Sequence, residues 1–193
     1  MEKFQNQFII MEVERMNFKG LEIKSSITPI LDKEFIPASL FNRAFRDAVL
    51  KSGKTAQLRI AIERGDGLVS TYETQVFDET SPMNEINFFY VERLIKTLLW
   101  IKGGWKITIG GPKSICEYIK KIYAVGGLRE FDARFMGRVY EKEFTVEIVD
   151  IDRVPKSNEK TKPLGRHLKG CRIGFDAGGS DRKVAAVIDG NPV

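Results

Sequence analysis

Alternating and helical patterns of apolar residues predict most of the secondary structure of this chain. Strands are predicted at residues 8–13 and within 21–30. The alternation is clearest from Ala56 to Ile62, and after the turn Gly65-Asp66-Gly67 it continues on a returning strand. We interpret this stretch as an antiparallel β-hairpin, because strict alternation places every second side chain on one face.

Two longer stretches have apolar residues at helical spacing. The first is predicted to begin with Ser39 as its N-cap and to end at Gly53. The second runs from about Asn84 to Lys102 and ends at the following glycine pair. Both stretches predict amphipathic helices with a wide apolar face, which is typical of helices that cover a sheet.

A strand–helix–strand unit is predicted between residues 105 and 149. Strand 105–109 runs into Gly110-Gly111-Pro112, helices follow to residue 140, and a strand occupies 144–149. This order favours two parallel strands joined by a right-handed crossover. A helix that begins after a glycine pair is also a place where anions bind. The alternative, which we favour here, is that the glycines only permit a tight turn.

Together these elements predict an α+β (mixed α/β) fold: an antiparallel hairpin and a parallel strand–helix–strand crossover, followed by a C-terminal β-hairpin. We assign residues 1–151 to an N-terminal α+β domain and 171–193 to the C-terminal hairpin. Residues 152–170 are polar and basic, contain two prolines and lack periodicity, which is typical of a linker. A tail that contacts nucleic acid is disfavoured, because no aromatic residues are interleaved for base stacking.

Composition restricts the class of protein only loosely. The 193 residues are 42% hydrophobic and 30% charged, as in ordinary globular proteins. No apolar run reaches the roughly 18 residues that a membrane helix needs, and the N-terminus lacks a signal-peptide pattern, so we expect a cytoplasmic protein. The net charge of +5 permits an anionic partner. Since charges of both signs are mixed along the chain, we expect neither a nucleic-acid nor a membrane partner.

No catalytic nucleophile with a matching base is evident in the first domain. The single histidine, His167, lies in the predicted linker, and Cys116 lies among apolar residues of a predicted helix. These residues and Cys171 lack the spacing of metal ligands. We therefore predict no catalytic residue and no metal site.

Carboxylates are scattered along the helices. Glu92 is placed to pair with Lys96 one helical turn later, and Asp132 is expected at a surface position as well. We interpret both carboxylates as parts of a solvated surface.

The most specific motif lies in the last predicted strand pair. Ile173 and Phe175 alternate with small or polar residues, and an apolar run at 184–188 follows the glycine-rich turn. Glycines let a ligand approach the backbone amides closely, which suits an anion. A P-loop or a dinucleotide site needs a helix after its glycines, whereas here a strand follows.

This strand pair resembles the first phosphate-binding hairpin of the actin-like sugar kinases, and most closely that of the ROK family (repressors, open reading frames, sugar kinases). In that family a strand runs into Asp-x-Gly-Gly-Thr/Ser and returns as a second strand, often with a lysine soon after. Asp176, Gly178, Gly179 and Ser180 match this motif, and Lys183 is a looser equivalent. The resemblance implies that Asp176 borders magnesium or its waters, and that the other four residues border ATP phosphates. The alternative is an ordinary hairpin with a Gly-Gly turn.

The resemblance covers only residues 171–188. The family's downstream catalytic aspartate, adenosine-binding segment and zinc motif have no counterpart here. We therefore expect the N-terminal portion, or a truncated relative, of a ROK-like sugar kinase, which binds ATP and magnesium only in a completed fold. The alternative is a stand-alone α+β binding or assembly domain. Because open strand edges are normally covered or paired, we expect either a homo-oligomer or a separately encoded kinase-like partner chain.

Overall fold

The computed structural model describes residues 14–27, 29–160 and 167–193. The chain divides into two compact units, Met1–Glu159 and Lys160–Val193. The helices are α1 Ala38–Ser52, α2 Ile86–Lys102, α3 Lys113–Ile122 and α4 Glu130–Tyr140. The strands are β1 Glu14–Phe18, β2 Leu21–Ser25, β3 Thr55–Glu63, β4 Val69–Phe77, β5 Lys106–Gly110, β6 Thr145–Ile148, β7 Cys171–Ala177, β8 Arg182–Ile188 and β9 Asn191–Pro192.

A four-stranded mixed sheet organises the first unit. Its strand order is β4-β3-β5-β6. Strand β3 pairs antiparallel with both β4 and β5, whereas β5 and β6 are parallel. Since α3 and α4 connect β5 to β6, the predicted parallel strand–helix–strand connection is confirmed. The predicted α+β fold, with its hairpin, crossover and C-terminal antiparallel strands, is confirmed as well.

The core of this unit lies between the sheet and helices α1, α2 and α3. Alternate residues of β3, Leu58, Ile60 and Ile62, are fully buried, as the alternation predicts. The rings of Phe45 on α1 and Tyr90 on α2 stack with their centroids 4.0 Å apart. Each such apolar side chain stabilises the fold by about 1.5–3 kcal/mol when it leaves water, so this layer is the main source of stability.

Two local boundaries differ from the sequence prediction. Helix α1 begins at Ala38, and the N-cap is Pro37, whose carbonyl accepts the amide of Leu40 at 3.0 Å. The prediction of Ser39 as N-cap is therefore wrong. Gly53 ends the helix with a left-handed φ of 64°, as predicted. The strand predicted at 8–13 lies outside the described residues.

Part of the predicted linker belongs to the first unit. Residues 151–153 form a short 3₁₀ turn, and Val154 is buried at 3% exposure. Asn158 then exchanges two backbone hydrogen bonds of 2.8 and 2.9 Å with Val69 on β4. Residues 152–159 therefore belong to the first unit, although Val154 is the one buried residue among them. The prediction missed this because such pairing has no local apolar period. Residues 161–166 of the predicted linker lie outside the described residues.

The second unit is a three-stranded antiparallel sheet in the order β7-β8-β9. Strands β8 and β9 are joined by Asp189-Gly190, whose φ angles of 48° and 85° are those of a tight type I′ hairpin turn. Among the helices of the described residues, none has both the length and the apolar character that crossing a bilayer requires.

Candidate phosphate-binding hairpin

The five residues predicted to bind nucleotide lie at one end of the β7–β8 hairpin. Asp176 stands opposite Lys183 in the antiparallel register. Gly178, Gly179 and Ser180 belong to the short loop between the two strands. All five residues are exposed. The hairpin therefore presents the whole predicted motif on its surface.

One face of the hairpin is apolar, whereas the other mixes apolar and charged residues. Directly opposed residues of antiparallel strands point to the same face. The pairs Ile173–Ala186 and Phe175–Val184 therefore share one apolar face, and the pair of Asp176 and Lys183 lies on the other. Ile173 is 77% exposed and Phe175 64% exposed. No other part of this unit that the structure describes covers the apolar face.

The lysine of the motif already has a partner in the loop. The Nζ atom of Lys183 lies 3.3 Å from Oδ2 of Asp181, and both side chains are mostly exposed. Exposed ion pairs are worth about 0–1 kcal/mol, so a phosphate can take the ammonium from this carboxylate at little cost. The carboxylate of Asp176, for which the resemblance implies contact with magnesium or its waters, is exposed. Among the described residues, no group of three or more histidines, cysteines and carboxylates is arranged to hold a metal by itself.

The two glycines of the loop differ in what the hairpin itself requires. A Cβ added to Gly178 would lie 2.7 Å from Oδ1 and 2.9 Å from the carbonyl oxygen of Asp181, so the loop needs a glycine there. A Cβ at Gly179 would meet nothing within 4 Å, and its φ is outside the left-handed region. The geometry of the isolated hairpin therefore gives no reason for glycine at position 179.

The second glycine pair in the sequence, Gly110-Gly111, has a packing role. A Cβ at Gly110 would lie 2.7 Å from the Cα of Ile151, and one at Gly111 would lie 2.8 Å from the carbonyl oxygen of Gln57. Both neighbours are backbone atoms that have little freedom to move. This close approach of the chain's own backbone accounts for both glycines as parts of a tight turn.

The N-terminus of α3, which follows this glycine pair, is occupied by a carboxylate of the same chain. The amide of Ser114 donates a 2.9 Å hydrogen bond to Oε1 of Glu79. This hydrogen bond lowers the pKa of the Glu79 carboxyl below its usual value. Glu79 thus takes the position that an external anion would need. The two residues are 35 positions apart, so no local pattern predicted the contact.

A groove of about 1100 Å³ lies beside this turn, at the edge of β5 and β6. Its wall includes Lys106 and Glu147, whose Nζ and Oε2 atoms are 2.6 Å apart across the parallel strands. Hydrogen bonding to this lysine lowers the pKa of Glu147. Because charges of both signs line the groove, it gives no specific case for an anion site.

Two carboxylates that were predicted at the surface are buried. Glu92 and Asp132 are 6% and 5% exposed and lie on either side of the Arg129 guanidinium. The indole Nε1–H of Trp100 also donates to Asp132 at 2.6 Å. The surface prediction is therefore wrong for both residues, and the predicted pairing of Glu92 with Lys96 is replaced by pairing with Arg129. Glu92 and Trp100 lie on α2, whereas Arg129 and Asp132 lie at the start of α4, so helical spacing did not reveal the contacts between these two groups.

The thiol of Cys116 is a poor nucleophile. Cys116 is buried, as predicted, and burial raises its pKa to about 11. A thiol reacts as its thiolate, so this side chain is nearly inert at neutral pH.

Comparisons of the chain with protein-family models, with curated proteins and with solved structures each gave no significant match. The assignment of a function to this chain therefore depends on the residues and geometry of the β7–β8 hairpin.

Proposed function

We propose that residues 171–193 are the opening phosphate-binding hairpin of a ROK-like sugar-kinase fold that further polypeptide completes. The observation that carries the proposal is Gly179, a glycine that the hairpin itself does not require. A glycine at the tip of a loop, next to a hydroxyl and a lysine, suits the close approach of a phosphate to the backbone amides.

Each residue of the motif has a distinct role in this proposal. The loop amides and the Ser180 hydroxyl donate hydrogen bonds to phosphate oxygens of ATP, and Lys183 supplies positive charge. Asp176 accepts a hydrogen bond from a water of the magnesium ion, which in proteins retains several of its waters. The ion, when bound, neutralises phosphate charge. Both proposed ligands thus approach the loop end of the hairpin, on the face that bears Asp176 and Lys183.

The exposed apolar face supports the need for additional polypeptide. Large apolar side chains that stay in contact with water contribute nothing to stability. In a completed kinase-like fold, helices or strands of the remaining polypeptide cover Ile173, Phe175 and Val184. The hairpin alone provides one wall of a nucleotide site, so we expect this chain to bind nucleotide weakly and to transfer no phosphate.

A nuclear magnetic resonance titration with Mg-ATP tests the proposal on the full chain. We expect millimolar affinity, with amide shifts concentrated at residues 176–183. Gly179→Leu should abolish these shifts without unfolding the hairpin, since an added Cβ at this position meets nothing within 4 Å. The matched control is Gly65→Leu, where an added Cβ also meets nothing within 4 Å. Unchanged amides at residues 176–183 under millimolar Mg-ATP would contradict the proposal.

A second candidate function is assembly, and the same apolar face favours it. Two copies that pair through this face would bury Ile173 and Phe175 without any kinase-like partner. Light scattering on the full chain should then show a concentration-dependent oligomer that Phe175→Asp disperses. Leu50→Asp, a change at an exposed residue of α1, is the control. A chain that stays monomeric at every concentration would contradict this candidate. That result would not bear on nucleotide binding, which the titration with Mg-ATP tests separately.

A further inference from the structure

Helix α4 has an exposed apolar stripe in addition to its buried face. Its buried side includes Ala133 and Met136. Phe131, Phe135 and Val139, which are four residues apart and so lie on one line along the helix, are exposed by 61%, 41% and 57%. An ordinary surface helix has only one apolar face. The second apolar stripe is therefore unexplained by the packing of this unit.

The stripe continues onto α2 as a row of stacked rings. The centroids of Phe131 and Phe135 are 6.0 Å apart, and those of Phe135 and Trp100 are 5.2 Å apart, each pair with an interplanar angle of 20°. The hydrogen bond from Trp100 to the buried Asp132 fixes the indole. Rings held in this way lose little conformational freedom on binding, so the surface is pre-organised.

Basic side chains border the row on both helices. Arg134 and Arg138 each lie three residues after a phenylalanine of the stripe, and Lys96 lines the same shallow depression as Trp100 on α2. Among the described residues, none of these three cations takes part in an ion pair. Two carboxylates of the same helix are engaged elsewhere, since Glu130 accepts a hydrogen bond from the Gly126 amide and Asp132 is buried.

We propose that this surface, formed by Trp100, Phe131, Phe135 and Val139 with Lys96, Arg134 and Arg138, binds an acidic amphipathic segment of another protein. Aromatic residues and arginines are enriched in protein interfaces. Apolar side chains of the partner pack on the rings, and its carboxylates meet the cations on either side. The proposal concerns the first unit and does not depend on nucleotide binding by the second.

Other occupants fit this surface less well. A second copy would bring Arg134 and Arg138 against another set of cations, and like charges across an interface are unfavourable. Single-stranded nucleic acid needs free ring faces for base stacking, whereas these rings cover one another's faces. Membrane-surface helices combine the same aromatic and basic residue types, so anionic vesicles are included in the test.

The test uses a synthetic helical peptide of about 18 residues with leucines on one face and glutamates elsewhere, and a twin peptide with lysines in place of the glutamates. Fluorescence anisotropy of the labelled peptides against the full chain should show about tenfold or greater preference for the acidic peptide. The double variant R134E/R138E should reverse the preference. The control R43E/K51E, which changes two exposed cations on α1, should leave it unchanged. Phe131→Asn should weaken binding of the acidic peptide at least tenfold.

Four results would overturn the proposal. The first is failure of the acidic peptide to bind, and the second is equal binding of the two peptides. The third is that the chain binds phosphatidylglycerol vesicles or a single-stranded oligonucleotide, that R134E/R138E abolishes this binding, and that the chain does not prefer the acidic peptide. The fourth is a dimer in light scattering that Phe131→Asn disperses. All the substituted side chains are exposed, so the variants are expected to fold, and their thermal unfolding verifies this.

Discussion

The guanidinium of Arg129 joins α2 to the start of α4 by donating from Nε to Oε1 of Glu92 at 2.7 Å. A second nitrogen of Arg129 lies 3.5 Å from Oδ2 of Asp132. Burial alone lowers the pKa of Arg129, but hydrogen bonding to Glu92 and the two negative charges outweigh it and raise that pKa. The positive charge of Arg129 therefore balances the negative charges of the buried Glu92 and Asp132, and removing Arg129 removes that balance.

Arg129→Met should lower the free energy of unfolding by about 3–5 kcal/mol, the range measured when one partner of a buried ion pair is removed. Urea denaturation followed by circular dichroism measures the change. Arg134→Met on the exposed side of α4 is the control and should stay within about 0.5 kcal/mol of the natural chain. The double variant R129M/E92Q should recover part of the loss, since it buries one charge fewer. A loss for Arg129→Met no larger than that of the control would show that the cluster is well solvated.

Gly110→Ala should destabilise the first unit by about 1–3 kcal/mol, the usual cost of an added methyl group in a filled site. The new Cβ would lie 2.7 Å from the Cα of Ile151 and 2.9 Å from the carbonyl oxygen of Val149. Thermal unfolding of the variant measures the effect. Gly65→Ala, where the methyl group meets nothing within 4 Å, should cost far less. Equal stability of the two variants would mean that the segment after β6 is free to move away from Gly110.

Most of the first unit was predictable because its elements have a local period. The alternation of Leu58, Ile60 and Ile62 and the helical spacing in α2 describe faces that the core buries. The short hairpins were missed, although each has a recognisable signal. Lys19-Gly20 and Asp189-Gly190 both have positive φ at two successive residues, as a two-residue hairpin turn requires. Glycine at the second position is the signal that indicates such turns.

The contacts that sequence patterns did not reveal are long-range and polar. Glu79 reaches the α3 N-terminus, and Arg129 reaches Glu92, across 35 and 37 positions. The sequence does not distinguish a charged side chain that is exposed to solvent from one that is buried in an ion pair. Only the burial seen in the structure separates the two cases. The hairpin motif from Asp176 to Lys183 was predictable because strand, loop and strand are adjacent in the chain.

The two cysteines should differ sharply in reactivity. Burial raises the pKa of Cys116 to about 11, so at pH 8 only about one thiol in a thousand is ionised there. Cys171 is exposed on the β7–β8 hairpin. Titration with a chromogenic disulfide should therefore give one fast thiol per folded chain and two after unfolding in guanidinium. Cys171→Ser should remove the fast phase. A fast phase that survives this substitution would mean that α3 opens readily to solvent.

The contribution of Glu79 to stability should depend on pH. Hydrogen bonding to the Ser114 amide lowers the pKa of this carboxyl in the folded chain below the ordinary value of 4.5. A group whose folded pKa is lowered stabilises the fold above its unfolded pKa, and this contribution is lost as the pH falls through the folded pKa. Glu79→Gln should thus lower the melting temperature slightly at pH 7. The difference in melting temperature between this variant and the natural chain should shrink as the pH falls from 5 to 3, because the lowered pKa of Glu79 places its protonation there. Glu143→Gln, at an exposed carboxylate before β6, is the control for the loss of a surface charge. A melting difference for Glu79→Gln that is constant over this pH range would contradict a charged cap on α3.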